Sequence, residues 1–245
     1  MSSRLLLPLA ALAVMAATAG PAVAQHAVRK TLNEAADVLT AMESIPARCI
    51  PQAVLANAQG VAIIPRVVKA GFVVGGRAGH GLVYSRLPDG SWAGPAFVYI
   101  GGASVGLQAG VEGTDLVLVF KTRRSLERIL RGKDKLTLGA DASVAAGPVG
   151  REAQAGTDAA LRAEVYSYSR SRGLFAGVSF EGAVLGYDAE LNRQFERSGP
   201  EVKAGAARLA MKIIAASGQQ PPPPPGPAMP PAPPPVVVPP PPPRP

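Results

Sequence analysis

The middle of the chain, residues 60–186, consists of short β-branched or apolar runs that glycines separate. Residues 103–112 alternate apolar with small or polar residues, which predicts a strand with one buried face. Residues 116–120 are continuously apolar, which predicts a strand buried on both faces. Further strands are predicted at 61–64 (ended by Pro65), 72–74, 82–86, 96–100, 138–150, 164–169 and 173–186. Glycine this frequent in strands indicates strong bends or close backbone contacts.

Helices are predicted on both sides of this region. Apolar residues recur at three- and four-residue spacing over residues 26–43, and a short helix is expected over residues 51–58. Thr122 is expected to cap a helix over residues 123–131, and a last helix covers residues 201–216. The sequence therefore predicts an α+β fold, a glycine-rich antiparallel β-sheet or barrel with N-terminal and C-terminal helices.

The two ends differ from this middle part. Residues 1–24 are typical of a signal peptide: Arg4 precedes an apolar run that is too short to span a bilayer, and Ala22-Val23-Ala24 is a cleavage site. Export to the periplasm or the medium is therefore expected. Residues 218–245 are proline-rich, which predicts an extended tail that could dock an envelope protein. Between them, residues 25–59 form an N-terminal helical segment and residues 60–217 a β-rich domain.

The chain is basic, with 25 Lys and Arg against 17 Asp and Glu, a formal net charge of +8. This excess favours phospholipid headgroups, anionic envelope polymers or nucleic acid as partners, and expected export makes nucleic acid the weakest of the three. The chain has one cysteine, Cys49, so no internal disulfide is possible. A small buried side chain is expected there rather than a reactive thiol.

Motifs for catalysis are weak. The residues Gly102-Ala103-Ser104-Val105-Gly106 match the pattern of a hydrolase nucleophile, but that motif requires a strand-to-helix turn, and Ser104 lies inside a predicted strand. His26 and His80 both precede Ser104, whereas the usual order places the histidine after it. The acidic residues Glu112, Asp115, Asp141 and Glu181 could meet in space, but each is expected to face solvent or to bond a neighbouring turn. We therefore predict no catalysis, cofactor or metal site.

Basic residues cluster in two places. The larger cluster lies in the predicted helix and on both sides of it, and consists of Lys121, Arg123, Arg124, Arg128, Arg131, Lys133 and Lys135. Such a helix can lie against an anionic membrane, although an ordinary solvated helix face would show the same pattern. The smaller cluster consists of Arg66, Lys69 and Arg77.

An ordered set of motifs resembles the SYLF domain, also called the yeast-type actin-binding domain. The motifs are AQGVAIIP (58–65), KAGF (69–72), GGRAG (75–79), DGSWAGP (89–95), GLQAG (106–110), LGADASVAAGPVG (138–150) and YSYSRSRGLFAGVS (166–179). The resemblance implies a non-catalytic module. Eukaryotic members bind phosphoinositides, some bind actin, and bacterial members are generally labelled lipid-binding.

The resemblance also implies an amphipathic, membrane-contacting helix at the start of the domain, here with Arg29 and Lys30 on its polar side. An exported bacterial member would meet neither actin nor phosphoinositides. We therefore expect this chain to bind an anionic phospholipid surface through its basic residues. The alternative is a structural or protein-interaction module of the cell envelope that uses the proline-rich tail.

Overall fold

The computed structural model describes residues 21–43, 50–132, 135–148, 163–171, 174–177 and 180–219. The described helices are α1 (Pro21–Glu43), α2 (Gln52–Ala56), α3 (Arg123–Leu130), α4 (Ala189–Glu196) and α5 (Pro200–Ala216). The described strands are β1 (Gly60–Arg86), β2 (Trp92–Phe120), β3 (Leu136–Thr137), β4 (Val144–Ala146), β5 (Val165–Ser171), β6 (Leu174–Gly177) and β7 (Val184–Tyr187). The α+β prediction is confirmed.

Several sequence predictions lie outside the described residues. These are most of the signal peptide, Cys49, Lys133 and the proline-rich tail beyond Gln219. Within the described part, no helix combines the length and apolar character needed to cross a bilayer.

Strands β1 and β2 form one long antiparallel ribbon, which the sequence had predicted as several short strands. Pro65 was expected to end a strand, but β1 continues through it by means of a bulge. The pairing register shifts between Ile64 and Val67, and Arg66 adopts a φ of 50°. The Arg66 backbone N–H donates to Asp115 Oδ1 at 3.0 Å, so the irregular segment stays anchored to β2.

The β1–β2 ribbon curls back on itself. The Arg86 N–H donates to the carbonyl oxygen of Gln59 at 2.8 Å, so the two ends of β1 touch. A Cβ at Gly81 would overlap the carbonyl oxygen of Ile63, and one at Gly79 would lie 3.2 Å from Val67 Cα. The contacting positions are 59 with 86, 63 with 81, and 67 with 79, and each pair is centred on residue 72 or 73. The bend of β1 therefore lies near residue 72. The glycines allow the close approach that other residues would block.

The register of the ribbon accounts for the bend. Gly71 pairs with Gly110 and Val73 with Gly106, so β1 advances by two residues where β2 advances by four. The strand on the outside of a bend has the longer path, and the extra residues of β2 supply that length.

The ribbon is the centre of a seven-stranded sheet among the described residues. Its order is β3-β7-β2-β5-β4, with β1 on β2 and β6 on β5. All pairs are antiparallel except β4 with β5. Residues 98–101 of β2 pair with β7, and residues 115–120 pair with β5. Strand β2 therefore joins the β7 and β5 parts of the sheet.

Two hydrophobic clusters lie on the two faces of this sheet. On the first face, α1, α2, α4 and α5 pack against alternate residues of the strands, such as Val61 and Ile63. On the second face, α3 and β3 pack against the intervening residues, such as Ala62 and Ile64. Helices α1 and α3 therefore lie on opposite faces of the sheet.

Two local predictions were wrong. Thr122 occupies the N-cap position of α3, but its side chain makes no capping bond. Its hydroxyl lies 3.3 Å from Ser125 Oγ and 3.4 Å from Glu164 Oε2, so contacts with these two side chains replace the capping bond. The strand predicted over residues 138–150 is interrupted by a turn, because the Asp141 carboxylate accepts the Thr137 N–H at 2.7 Å and Gly139 takes a φ of 91°.

Candidate functional site

Helix α3 carries its cations on the solvent side. Leu126 and Ile129 are buried in the second-face cluster, which turns the polar side of the helix outward. We call the described cations on and beside this helix the basic surface: Lys121, Arg123, Arg124, Arg128, Arg131 and Lys135. Arg124 and Lys135 are exposed and form no ion pair with a described residue.

The other arginines of the basic surface hold exposed carboxylates. Glu127 lies 3.2 Å from Arg123 and 3.4 Å from Arg131, and Asp141 lies 3.2 Å from Arg128. The Thr137 backbone N–H, together with Arg128, holds the pKa of Asp141 below its usual value. Exposed ion pairs are typically worth under about 1 kcal/mol and are screened by salt, so these arginines can exchange a carboxylate for another anion.

Lys121 is held differently. Its ammonium lies 4.8 Å from the centre of the Tyr166 ring and 3.4 Å from the Tyr166 hydroxyl. The side chain is half-buried, and it joins the basic surface to strand β5.

The smaller cluster does not form one patch. Arg66 pairs with Glu34 of α1 at 3.1 Å, while Lys69 is exposed on β1. Arg77 donates to the carbonyl oxygen of Ala103 at 3.3 Å and lies 5.1 Å from the centre of the Phe180 ring. Burial lowers the pKa of the Arg77 guanidinium from its ordinary value.

The N-terminal cations lie on the other side of the molecule. Arg29 pairs with Glu201 of α5 at 3.1 Å, and Lys30 is exposed. The apolar side of α1 is buried in the first-face cluster, including Val28, Leu32 and Leu39. The structure therefore separates the predicted binding residues of α1 from those of α3, and α1 does not offer its apolar side to a partner in this conformation.

Sequence reasoning overlooked a groove between α1 and α5. Its volume is about 400 Å³, and its lining includes Arg29, Asn33, Glu201, Gly205 and Arg208. Basic residues recur along α5 at Lys203, Arg208 and Lys212, and this spacing was the signal available in the sequence.

The residues considered for catalysis are dispersed. Ser104 lies within β2, opposite Gly75 in the register, and not at a strand-to-helix turn. His80 Nδ1 lies 2.9 Å from Asp188 Oδ2, and Asp115 Oδ2 lies 2.6 Å from Arg170 Nη2. Among the described residues, no three His, Cys, Asp or Glu side chains are grouped so that they could hold a metal ion.

The four acidic residues named from the sequence do not form a described cluster. Asp115 and Asp141 bond arginines and backbone N–H groups, as set out above. Glu181 is exposed beside the turn at Gly139, and the side chain of Glu112 is outside the described part.

Comparisons with known proteins add to this geometry. The family model described as "Ysc84: Las17-binding protein actin regulator" matches residues 101–223. An SH3 domain-containing protein of Schizosaccharomyces pombe is 45% identical over 150 residues, which are 60% of this chain and 34% of that protein. The SH3 domain-containing YSC84-like protein 1 of Homo sapiens is 44% identical over 150 residues, 61% of this chain and 43% of that protein.

LAS seventeen-binding protein 3 of Saccharomyces cerevisiae is 43% identical over 148 residues, 60% of this chain and 32% of that protein. The chain thus spans less than half the length of these relatives. No solved structure matches the chain. The family model covers half of the chain and includes residues 101–120 of strand β2, the basic surface and the closing helices, so the chain belongs to the Ysc84 family, the family of the SYLF domain.

Proposed function

We propose that this chain is an exported, non-catalytic module that binds anionic phospholipid headgroups through the basic surface. The observation that supports this most directly is the charge of that surface. The basic surface has six described cations; two described carboxylates, Glu127 and Asp141, pair with them, and a third, Glu164, bonds the Ser125 hydroxyl of α3. The surface is therefore positive even with its ion pairs formed.

The packing of α3 also supports this function. Because Leu126 and Ile129 fix the helix on the sheet, its arginines are presented from a rigid element and little order is lost on binding. A basic residue close to an anionic bilayer contributes roughly 1 kcal/mol, and the planar guanidinium matches the geometry of phosphate. Several such residues together give useful affinity without an enclosed pocket.

Vesicle co-sedimentation of the full chain tests this proposal. Vesicles of phosphatidylglycerol or cardiolipin should bind the chain at low salt, and vesicles of phosphatidylcholine should not. The double substitution Arg124→Gln and Lys135→Gln removes two exposed cations without breaking a described ion pair. Removal of about 2 kcal/mol should weaken binding roughly thirtyfold, and high salt should release the wild-type chain.

The matched control is Lys30→Gln with Lys203→Gln on the first face. Both residues are exposed, and neither forms an ion pair with a described residue. This variant has the same net charge as the test variant. Equal loss of binding in both variants, or equal binding to neutral vesicles, would contradict a specific role for the basic surface.

The second candidate function is protein interaction. The matched family and one relative carry Las17-binding or LAS seventeen-binding names, and this points to protein partners for the family. In this chain the proline-rich residues 221–245 would be the docking segment, since proline-rich segments bind aromatic grooves as extended helices. Deletion of residues 221–245 should abolish partner capture and leave vesicle binding intact.

A further inference from the structure

Helices α1 and α5 lie side by side on the first face and run in the same direction. Near their starts, Arg29 Nη2 lies 3.1 Å from Glu201 Oε2. Further along, Lys212 Nζ donates to Thr40 Oγ1 at 2.6 Å. Each of these contacts joins residues that are 172 positions apart in the chain. Because every helical residue adds the same rise, equal separations mean that the two helices are parallel and in register over this stretch.

The same register shows which residues face each other between these two contacts. Position 33 lies opposite position 205, and position 36 lies opposite position 208. Asn33 therefore faces Gly205, which has no side chain, and the small Ala36 faces Arg208. These small residues leave room for the groove of about 400 Å³ between the two helices.

Gly205 keeps this groove open without a packing reason. A glycine in the interior of a helix is less stable than an alanine, and tight packing is the usual explanation for it. Here a Cβ would have one described neighbour within 4 Å outside its own helix backbone, Arg208 Nη2 at 3.8 Å. This is an ordinary contact, so the fold does not require a glycine at position 205. The missing side chain instead provides the space at the floor of the groove.

Two side chains with unused donors converge on that space. The distance of 3.8 Å shows that the Arg208 guanidinium folds back over Gly205, the direction that long side chains take on a helix. Asn33 lies across the groove at the same level, and both side chains line it. Both are exposed, and within the described part of the chain neither side chain forms a hydrogen bond or an ion pair.

These donors and the lining indicate the chemistry of the ligand. The N–H groups of a guanidinium and a side-chain amide match the two oxygens of a carboxylate. The groove already contains one carboxylate, that of Glu201, which Arg29 binds, so Arg208 is the arginine left over. Leu32 and Val202 also line the groove and are buried, which gives it an apolar wall. A glutamate side chain, with an apolar stem and a terminal carboxylate, suits this combination better than a bare phosphate group.

We propose that the groove between α1 and α5 binds an acidic side chain of a protein partner, with Arg208 and Asn33 donating to its carboxylate. The groove lies on the first face of the sheet, and the basic surface lies on the second face. The chain can therefore hold a protein and a membrane at the same time. This binding site goes beyond the proposed lipid binding and does not depend on it.

Nuclear magnetic resonance of the isotope-labelled full chain tests the inference, because it observes one side chain at a time on a basic protein that attracts anions at many places. The probe is a tripeptide with blocked ends and a central glutamate, and the control probe has glutamine in its place. The signals of the Asn33 side-chain amide are identified by their loss in Asn33→Ala. The glutamate peptide should shift these signals until they saturate, and the glutamine peptide should leave them unchanged.

Substitutions in α5 provide the second measurement. Arg208→Gln should weaken binding of the glutamate peptide about tenfold, the loss expected for a hydrogen bond between charged groups. The matched control is Lys203→Gln, which makes the same change of charge on the same helix at an exposed residue outside the groove. Gly205→Leu keeps the charge and fills the groove, so it should also remove binding, with circular dichroism confirming that the variant is folded.

The outcomes separate this inference from its alternatives. Asn33 signals that do not shift, or that shift equally with the glutamine peptide, would overturn it. Equal weakening in Arg208→Gln and Lys203→Gln would overturn it as well, because attraction to the net charge would then suffice. A larger shift with inorganic phosphate or with soluble short-chain phosphatidylglycerol at equal ionic strength would assign the groove to phosphate groups instead of an acidic side chain. Failure of vesicle co-sedimentation, in contrast, would contradict lipid binding alone.

Discussion

Two buried tyrosines allow a direct test of the packing between the sheet and its helices. Tyr84 and Tyr168 are both fully buried. The Tyr84 hydroxyl donates to the carbonyl oxygen of Ala206 in α5 at 2.6 Å, which joins positions 122 residues apart. The Tyr168 hydroxyl has no hydrogen-bond partner among the described residues. The same substitution, Tyr to Phe, should therefore act differently at the two sites.

The expected magnitudes follow from these contacts. Tyr84→Phe removes a buried hydrogen bond and should cost about 1 kcal/mol of the free energy of unfolding. The thermal midpoint should fall by roughly 2–4 °C for a domain of this size. Tyr168→Phe removes a buried hydroxyl that gains nothing in return, so stability should be unchanged or rise by up to about 1 kcal/mol.

Urea unfolding followed by circular dichroism measures both changes, and each variant is the control for the other. An equal loss of stability in the two variants would refute the reasoning, because only one hydroxyl has a partner. An increase for Tyr84→Phe would refute it as well.

The same variants test how the stability of the fold depends on pH in the alkaline range. Burial raises the pKa of both tyrosines above their ordinary value of 10.0. Above about pH 10 the unfolded chain loses these protons while the folded chain retains them, so stability should fall as the pH rises. Each Tyr-to-Phe variant should show a shallower decline in unfolding experiments across that range.

Two further substitutions probe close packing in the same unfolding assay. Asn192→Ala should lower the free energy of unfolding by about 2–3 kcal/mol, because the buried Phe97 N–H would lose its partner. The Asn192 side-chain amide bonds both the N–H and the carbonyl oxygen of Phe97. A loss below about 0.5 kcal/mol, on the order of the experimental error, would contradict this. Gly147→Ala should cost about 1–3 kcal/mol, since the added Cβ would overlap the Tyr168 ring. Gly113→Ala is its control, with open space around the site, and an equal effect at both glycines would contradict the steric argument.

Local patterns predicted the helices and most strand positions. The spacing of Val28, Leu32 and Leu39 predicted the helix α1, and the continuous apolar run of residues 116–120 is buried on both faces as expected. These predictions succeeded because burial of one face imposes a period on the sequence. Helix α4 was overlooked, although Asp188 caps it by accepting the Leu191 N–H at 3.0 Å.

The long ribbon could not be read from the same patterns. A proline normally ends a strand, and the continuation of β1 past Pro65 depends on distant partners: the Arg66 N–H bond to Asp115, 49 residues away, and the pairing with β2 that resumes at Val67. The frequent glycines did indicate bends and close backbone contacts. Which glycines meet which backbone depends on the curl, and that is a property of the whole sheet.

The candidate site was predicted in part. The sequence identified the cations of α3, and the structure exposes the described ones to different degrees on one side of the sheet. The partners of those cations are tertiary: Asp141 reaches Arg128 only because a turn beside β3 lies against α3. The sequence assigned lipid binding to cations of both α1 and α3 and left open whether they share one face; the sheet between the two helices separates the two groups.

The unequal lengths of the two paths around the bend have an evolutionary consequence. The curvature of the ribbon depends on the number of residues in each strand at the bend, four steps on β2 against two on β1, and not on any one side chain. Substitutions at residues 107–109 should therefore keep the shape of the bend. Deletion of two of these residues would equalise the paths, straighten the ribbon and part the ends of β1. Members of this family should accordingly tolerate substitutions in this segment more readily than changes in its length.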